Sequence, residues 1–527
     1  MLTPKNKPAP SPSIVRGDEA IRLFLAIAFL AAVHFFVTGS IIDDVADPTG
    51  RIFLMIAAVV GGYMALNIGA NDVANNIGPV VGSGALTITA AIFLAFFFEG
   101  AGALIAGGDV VNTIKKGIID PSLIPDSQSF VWAMLAALFA AAVWLNVATA
   151  IGAPVSTTHS IVGGVLGAGI AAGGWAIADW SKVQQIVASW VISPALGGLI
   201  AAAFLYGIKR SIIYKDDMLA AGKNRVPILL GIMAWAFTSY ICLKGIKKLI
   251  KIDTPTALGI GFVAAIAVFF FTRPIIIKTS TKLENKRESI DGLFVIPLII
   301  GACFLSFAHG ANDVANAIGP LAAINEAVRS AEIASKAAIP LWVMGIGALG
   351  IAVGLALYGP KLVRTVGTEI TELDMIRAFC VSLAAAITVI IATHFGLPVS
   401  STHIAVGAIF GVGFLREALS YRYNQKLELV REYMSEKKNQ TEETAAEFVR
   451  IFDDASISEK QRILDELKEE DRRHGRRKKL KRAYREKLVQ RSLLIKIIIA
   501  WVVTVPISAM FAAALFYMIR GFMVGMP

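Results

Sequence analysis

Two motifs in this chain each occur twice, in the same order. Gly69-Ala70-Asn71-Asp72-Val73-Ala74-Asn75 returns as Gly310-Ala311-Asn312-Asp313-Val314-Ala315-Asn316. Pro154-Val155-Ser156-Thr157-Thr158-His159 returns as Pro398-Val399-Ser400-Ser401-Thr402-His403. The spacing is nearly kept: 84 residues from Asp72 to Ser156, 87 from Asp313 to Ser400. Each motif is polar and sits beside a long apolar run. Polar, glycine-bearing breaks at matching places in two halves are the mark of a membrane protein whose repeats meet at a midplane site.

The surrounding composition sets the class. Of 527 residues, 56% are hydrophobic and 17% charged. Eleven apolar runs approach or reach the roughly 17 to 25 residues that cross a bilayer core. They begin with Arg22–Ile41 and end with Leu493–Met518, and shorter stretches follow the Ser/Thr/His motifs at Ile161–Gly173 and Ile404–Phe414. The expectation is an all-α membrane protein with eleven to thirteen spans. Its helices form a polytopic bundle of two inverted repeats with re-entrant or broken helices, plus an extra N-terminal span and a cytoplasmic helical insert. A soluble domain is excluded. Cys242, Cys303 and Cys380 lie in or beside apolar runs without paired spacing, so they read as buried small side chains.

The organisation follows from the duplication and the charges. Residues 1–51 hold a polar N-terminus, an extra span and an acidic loop; no cleavable signal is evident in them. Residues 52–206 form the first repeat and 207–291 connecting spans. Residues 292–415 begin the second repeat, 416–492 are an insert, and 493–527 carry its last span. The net charge of +11 reflects a positive-inside bias rather than nucleic-acid binding. Between Arg416 and Lys496 there are 22 Lys/Arg and 16 Asp/Glu, with eleven basic residues packed into Arg472–Arg491. That block places the insert in the cytoplasm and the link Gly174–Lys182 outside, so the repeats are inverted, and the basic residues before the first span with the aspartates after it place the N-terminus in the cytoplasm. The four lysines of Lys244–Lys251 oppose this arrangement and are outvoted. Residues Glu417–Glu470 alternate charged and apolar side chains at helical spacing, which predicts an amphipathic hairpin.

The motifs carry the chemistry. An ionised aspartate in the bilayer core is costly and therefore functional by default. Asp72 and Asp313, with Asn71 and Asn312 beside them, offer hard oxygen ligands suited to Na⁺ or a proton. The glycines and alanines around them allow close backbone approach and helix breaks. Ser156, Thr157, Thr158 and their counterparts Ser400, Ser401, Thr402 have the layout of helix N-termini, where amides and hydroxyls make an anion site. Asn75 and Asn316, in the same motifs as the aspartates, are further candidates for the phosphate site. Glu99, alone in Phe96-Phe97-Phe98-Glu99-Gly100, is a further coupling candidate, and Gly345 or a neighbour holds its place in the second half. His159 and His403 read as hydrogen-bonded structural histidines, and His309, matched by Ile68 in the first half, receives no role. With no Lys or Arg in the four motifs, a dianion near two aspartates needs cations bound with it. Hydrogen phosphate can donate a proton to an Asp acceptor and sulfate cannot, which favours phosphate. A sulfate symporter is the alternative. A membrane hydrolase using Asp, Ser and His, or a scaffold built on the basic insert, is remote.

These motifs resemble the inorganic phosphate transporter (PiT) family. The likeness rests on both GANDVAN copies, on PVSTTH and PVSSTH, and on Phe98-Glu99 followed by Val111–Asp120. Ser306-Phe307-Ala308-His309-Gly310 adds to it. The resemblance implies a secondary carrier in the inner membrane, not an enzyme, that imports inorganic phosphate with Na⁺ or H⁺, needs no cofactor and forms a homodimer. It implies ion and phosphate roles for Asp72, Asn75, Asp313 and Asn316, with Na⁺ at Asp72 and Asp313, and phosphate held by the Ser/Thr motifs. The lipid bilayer is the remaining partner, and no nucleic acid is expected.

Overall fold

The computed structural model describes residues 15–150, 155–245, 250, 252–330, 339–369, 373–438, 452, 459–460, 462–463 and 491–524. Among them the regular structure is all helical, apart from a single bridge between Ile119 and Ala178. Lipid leaves backbone groups no water to bond, so an apolar span must satisfy them internally as a helix. Twelve helical segments are long and apolar enough to cross a membrane, within the range expected from the runs.

Sixteen helices matter here. Helix α1 is Val15–Ser40, α2 Pro48–Asn71, α3 Val73–Gly82, α4 Ile88–Ala106, α5 Gly108–Lys116, α6 Ser127–Ala150, α7 Thr157–Gly173 and α8 Trp180–Ile208. Helix α9 is Met218–Lys244, α10 Thr254–Ser280, α11 Arg287–Leu293, α12 Val295–Ser330, α13 Leu341–Glu369, α14 Met375–His394, α15 Ser401–Lys438 and α16 Arg491–Val524. Aspartates mark several starts. Asp47, Asp179, Asp217, Asp253 and Asp374 each accept from an amide in the first turn of α2, α8, α9, α10 and α14, the expected capping chemistry.

The two halves pack crosswise. Helix α2 lies on α13 and α12 on α4; α7 lies on α16 and α15 on α8. Glycines permit these contacts, and they repeat. A Cβ on Gly69 would run into the Ile351 carbonyl, and one on Gly310 into the Glu99 carbonyl. Gly354 against Leu66 matches Gly102 against Phe307. Gly163 and Gly167 meet Val505 and Ala509 of α16, as Gly407 and Gly411 meet Pro194 and Gly198 of α8. Small residues let helix backbones approach where lipid offers no hydrophobic drive for association. The pairing corrects one expectation: the second-half counterpart of Glu99 is Ile351, not Gly345.

Two other expectations change, and a third is largely untested. The first Asn/Asp motif breaks its helix at Asp72, between α2 and α3, but the second runs unbroken inside α12. The stretches after the Ser/Thr/His motifs are full elements: α7 has 17 residues and α15 has 38. The helical hairpin expected over Glu417–Glu470 lies largely outside the described residues, and its start continues α15 to Lys438. The three cysteines are free and buried, as read from their surroundings.

Candidate functional site

The two Ser/Thr/His motifs open helices. Ser156 caps α7, its Oγ accepting from the His159 amide at 3.3 Å, and Ser400 does the same for α15 with His403 at 3.3 Å. Each cap leaves first-turn amides and hydroxyls at a helix start. Both starts are buried and face the Asn/Asp motifs.

The contacts between the motifs are duplicated. Thr157 Oγ1 donates to Asp72 Oδ2 at 2.7 Å, and Ser401 Oγ donates to Asp313 Oδ2 at 3.1 Å. Asn75 Nδ2 donates to Thr402 Oγ1 at 2.9 Å, and Asn316 Nδ2 to Thr158 Oγ1 at 3.0 Å. Asp72 Oδ1 also accepts from Thr402 at 3.2 Å, and Asn316 reaches Thr157 at 3.3 Å. Each aspartate thus meets the hydroxyl of its own half, while each asparagine crosses to the other half. Asp313, Asn312 and Asn316 are fully buried and Asp72 is 3% exposed. Ligand atoms of Asp72, His309 and Asp313 lie within 4.8 Å of one another.

Several acceptors there are unfilled. Asp313 Oδ1, Asn316 Oδ1 and Asn76 Oδ1 are buried without a hydrogen-bond partner. Native structures rarely leave such atoms bare unless an ion, water or ligand belongs there. On Asp72, by contrast, hydroxyls occupy both oxygens.

Two expected cation ligands also have protein partners. Asn312 bonds the break between α14 and α15. Its Nδ2 donates to Thr393 Oγ1 at 2.9 Å and to the Leu397 carbonyl at 3.1 Å, while Oδ1 accepts from the Val399 amide at 3.2 Å. Glu99 is fully buried, accepting from Asn76 Nδ2 at 3.0 Å and lying 2.5 Å from His309 Nδ1. Asn71 is half-buried at the last residue of α2.

His309 is the residue sequence reasoning missed. It is fully buried between two carboxylates, with Nε2 3.0 Å from Asp313 Oδ2. The available signal was spacing. His309 stands four residues before Asp313, so a helix puts both on one face. Around Asp72, Ile68 of the first half and Ile351 of the second take the places of His309 and Glu99, so Asp72 and Asp313 sit in unlike surroundings.

His159 and His403 pack against indole rings. His159 lies tilted on Trp190, at 3.8 Å between centroids, and His403 stacks on Trp501, at 3.5 Å. They meet each other edge-on at 4.7 Å.

Comparison with known proteins identifies the family. Residues 68–512 match the phosphate transporter family. A Helicobacter pylori protein, provisionally named a phosphate permease, is 47% identical over 509 residues, covering 94% of this chain and 95% of the relative. A Haemophilus influenzae protein of the same provisional name is 39% identical over 379 residues, 71% of this chain and 90% of its own. Among solved structures, "The sodium-dependent phosphate transporter" superposes with a TM-score of 0.72 at 30% identity, covering 89% of this chain and 99% of that one. The motifs that pair across the two halves are those on which the resemblance rests, and the chain belongs to the phosphate transporter family.

Proposed function

We propose that this protein imports inorganic phosphate across the inner membrane, in symport with Na⁺, through the space between the α7 and α15 tips and the two Asn/Asp motifs. The observation that carries the reading is the pair of bare buried acceptors, Asp313 Oδ1 and Asn316 Oδ1, beside helix starts rich in donors. Hydroxyls and first-turn amides of α7 and α15 take the phosphate oxygens. A hydrogen phosphate O–H finds its acceptor in Asp313 Oδ1, which sulfate could not use.

Electrostatics supply the coupling. Two carboxylates within 4.8 Å repel by at least roughly 3.5 kcal/mol at an effective dielectric of about 20. A dianion adds to that. Cations at Asp72 and Asp313 reverse the sign, so phosphate and cation bind together or not at all. Sodium is the first choice because the sodium-dependent neighbour shares 30% identity over most of this chain. The unlike surroundings of the two aspartates give them unlike parts. Asp72, bonded by the hydroxyls of Thr157 and Thr402 and with isoleucines where Asp313 has His309 and Glu99, depends on an external cation. Asp313 has His309 within reach as an internal proton carrier. That placement is the one observation favouring H⁺ as the coupling ion, and it defines the second reading.

The same reading has the repeats inverted, the N-terminus and the 416–492 insert in the cytoplasm, and the protein working as a homodimer. The test is labelled phosphate uptake by proteoliposomes under an imposed Na⁺ gradient, then under a H⁺ gradient, with sulfate as competitor. Uptake driven by Na⁺ and indifferent to sulfate is the expected result. Uptake driven only by H⁺ moves coupling to His309, and sulfate transport without phosphate transport refutes the proposal.

A further inference from the structure

Helix α5 carries part of the family-like motif Val111–Asp120 but supplies no residue to the site above. It is nonetheless fixed at several points. Lys115 forms a buried ion pair with Glu326 of α12. Asp109 pairs with Lys244 at the end of α9, and Lys244 also donates to the His394 carbonyl at 3.0 Å, on the last residue of α14. Ile114 fills the space over Gly319 of α12, where a Cβ would come within 2.6 Å of its Cγ2.

Between these anchors α5 reaches the break that leads into α15. Four consecutive carbonyls there are each taken by a side chain from a different helix. Gly396 O accepts from Thr113 Oγ1 of α5 at 2.7 Å, and Leu397 O from Asn312 of α12 at 3.1 Å. Pro398 O accepts from Trp190 Nε1 of α8 at 3.0 Å, and Val399 O from Thr158 Oγ1 of α7 at 3.0 Å. The next residue, Ser400, caps α15, and Ser401 and Thr402 bond the two aspartates. Gly396 has a φ of +64° and faces Thr113 Oγ1, which a Cβ would approach to 3.3 Å. A left-handed turn of this kind is set by its hydrogen bonds, and an anion site at a helix start works only where that start is held.

We propose that Thr113 is a positioning residue for the second anion-binding tip. By holding the Gly396 carbonyl it ties the α15 start to a helix of the first half and fixes where Ser400, Ser401 and Thr402 present their donors. Thr113 touches no substrate and acts through the backbone of the break. This inference rests on the phosphate reading above.

The experiment compares wild type, Thr113→Val, Thr113→Ala and Thr113→Ser in proteoliposomes, measuring labelled phosphate uptake against phosphate concentration and normalising to inserted protein. Valine keeps the shape and leaves a buried carbonyl unpaired, so the half-saturation concentration for phosphate rises about tenfold. The maximal rate stays within about twofold, and serine restores the wild-type value. Alanine decides the matter if valine fails to insert, and the same rise is expected. An active wild type with unchanged half-saturation in the valine or alanine variant overturns the inference alone. So does a fall in maximal rate without a rise in half-saturation, or a serine variant as impaired as valine. A wild type that moves no phosphate overturns the phosphate reading and this inference with it.

Discussion

Glu99→Gln tests the His309 network directly. The substitution is isosteric, so it opens no cavity and leaves the Gly310 contact with the residue 99 backbone intact. Glu99 has two side-chain partners, Asn76 at 3.0 Å and His309 Nδ1 at 2.5 Å. The amide oxygen of glutamine keeps the first. The second loses its charge, and a buried hydrogen bond to a charged group contributes about 1.5–3 kcal/mol. At 1.4 kcal/mol per factor of ten, that is roughly ten- to 150-fold in half-saturation for the coupling cation. His309→Gln removes the same bond and also the 3.0 Å contact with Asp313, so its loss is at least as large. Because the Glu99 change breaks only the bond that both share, the double variant is little worse than His309→Gln alone. The assay is uptake against cation concentration at fixed phosphate, with thermal stability in detergent as a control on folding. Glu99→Gln within about threefold of wild type refutes the argument. So does a double variant whose loss is the product of the two single losses, because the residues then act independently.

Other outcomes follow from the same contacts. Asp72→Asn and Asp313→Asn each abolish coupled uptake while the protein still inserts in the membrane; near-normal transport in both would sink the shared site. Gly310→Ala forces α12 from α4 at the Glu99 carbonyl, at a cost of about 1–3 kcal/mol or more, and lowers the melting temperature in detergent. Gly100→Ala, with nothing within 4 Å of its added Cβ, is neutral, and equal effects from the two changes would contradict the packing argument. Deleting Leu427–Glu470 leaves the phosphate half-saturation close to wild type in uptake assays, and a large rise would tie the insert to the site.

Much of the site was legible because the chain states it twice. Two aspartates, two asparagines and two hydroxyl-rich helix starts at matched spacing admit few arrangements once the chain must span a membrane, and hydrogen bonds join them as pairs. What misled were places where the halves differ. Glu99 could be singled out as an intramembrane carboxylate, but its counterpart could not be located by counting along the chain. The loop lengths diverge, and only the glycine contacts identify Ile351. His309 drew no weight because Ile68 stands opposite it, although its four-residue spacing to Asp313 was visible. The rings on which the two motif histidines pack, Trp190 and Trp501, lie 31 and 98 residues further along, beyond what spacing could pair.

The amino-acid sequence by itself determined the membrane class, the number of spans within narrow limits, the duplication and the residue types at the site. These are local or periodic properties, since apolar length, intramembrane charge and helix capping need no partner to be recognised. Tertiary structure decided which half each side chain serves. Helices α7 and α15 pack against α16 and α8 of the opposite repeats, so a hydroxyl from one half meets an asparagine from the other. It also decided that Asn312 bonds the break before α15, and that His309 stands between two carboxylates. Such assignments depend on how helices far apart in sequence approach one another. In lipid that approach is set by glycine contacts and buried hydrogen bonds rather than by hydrophobic patterning along the chain.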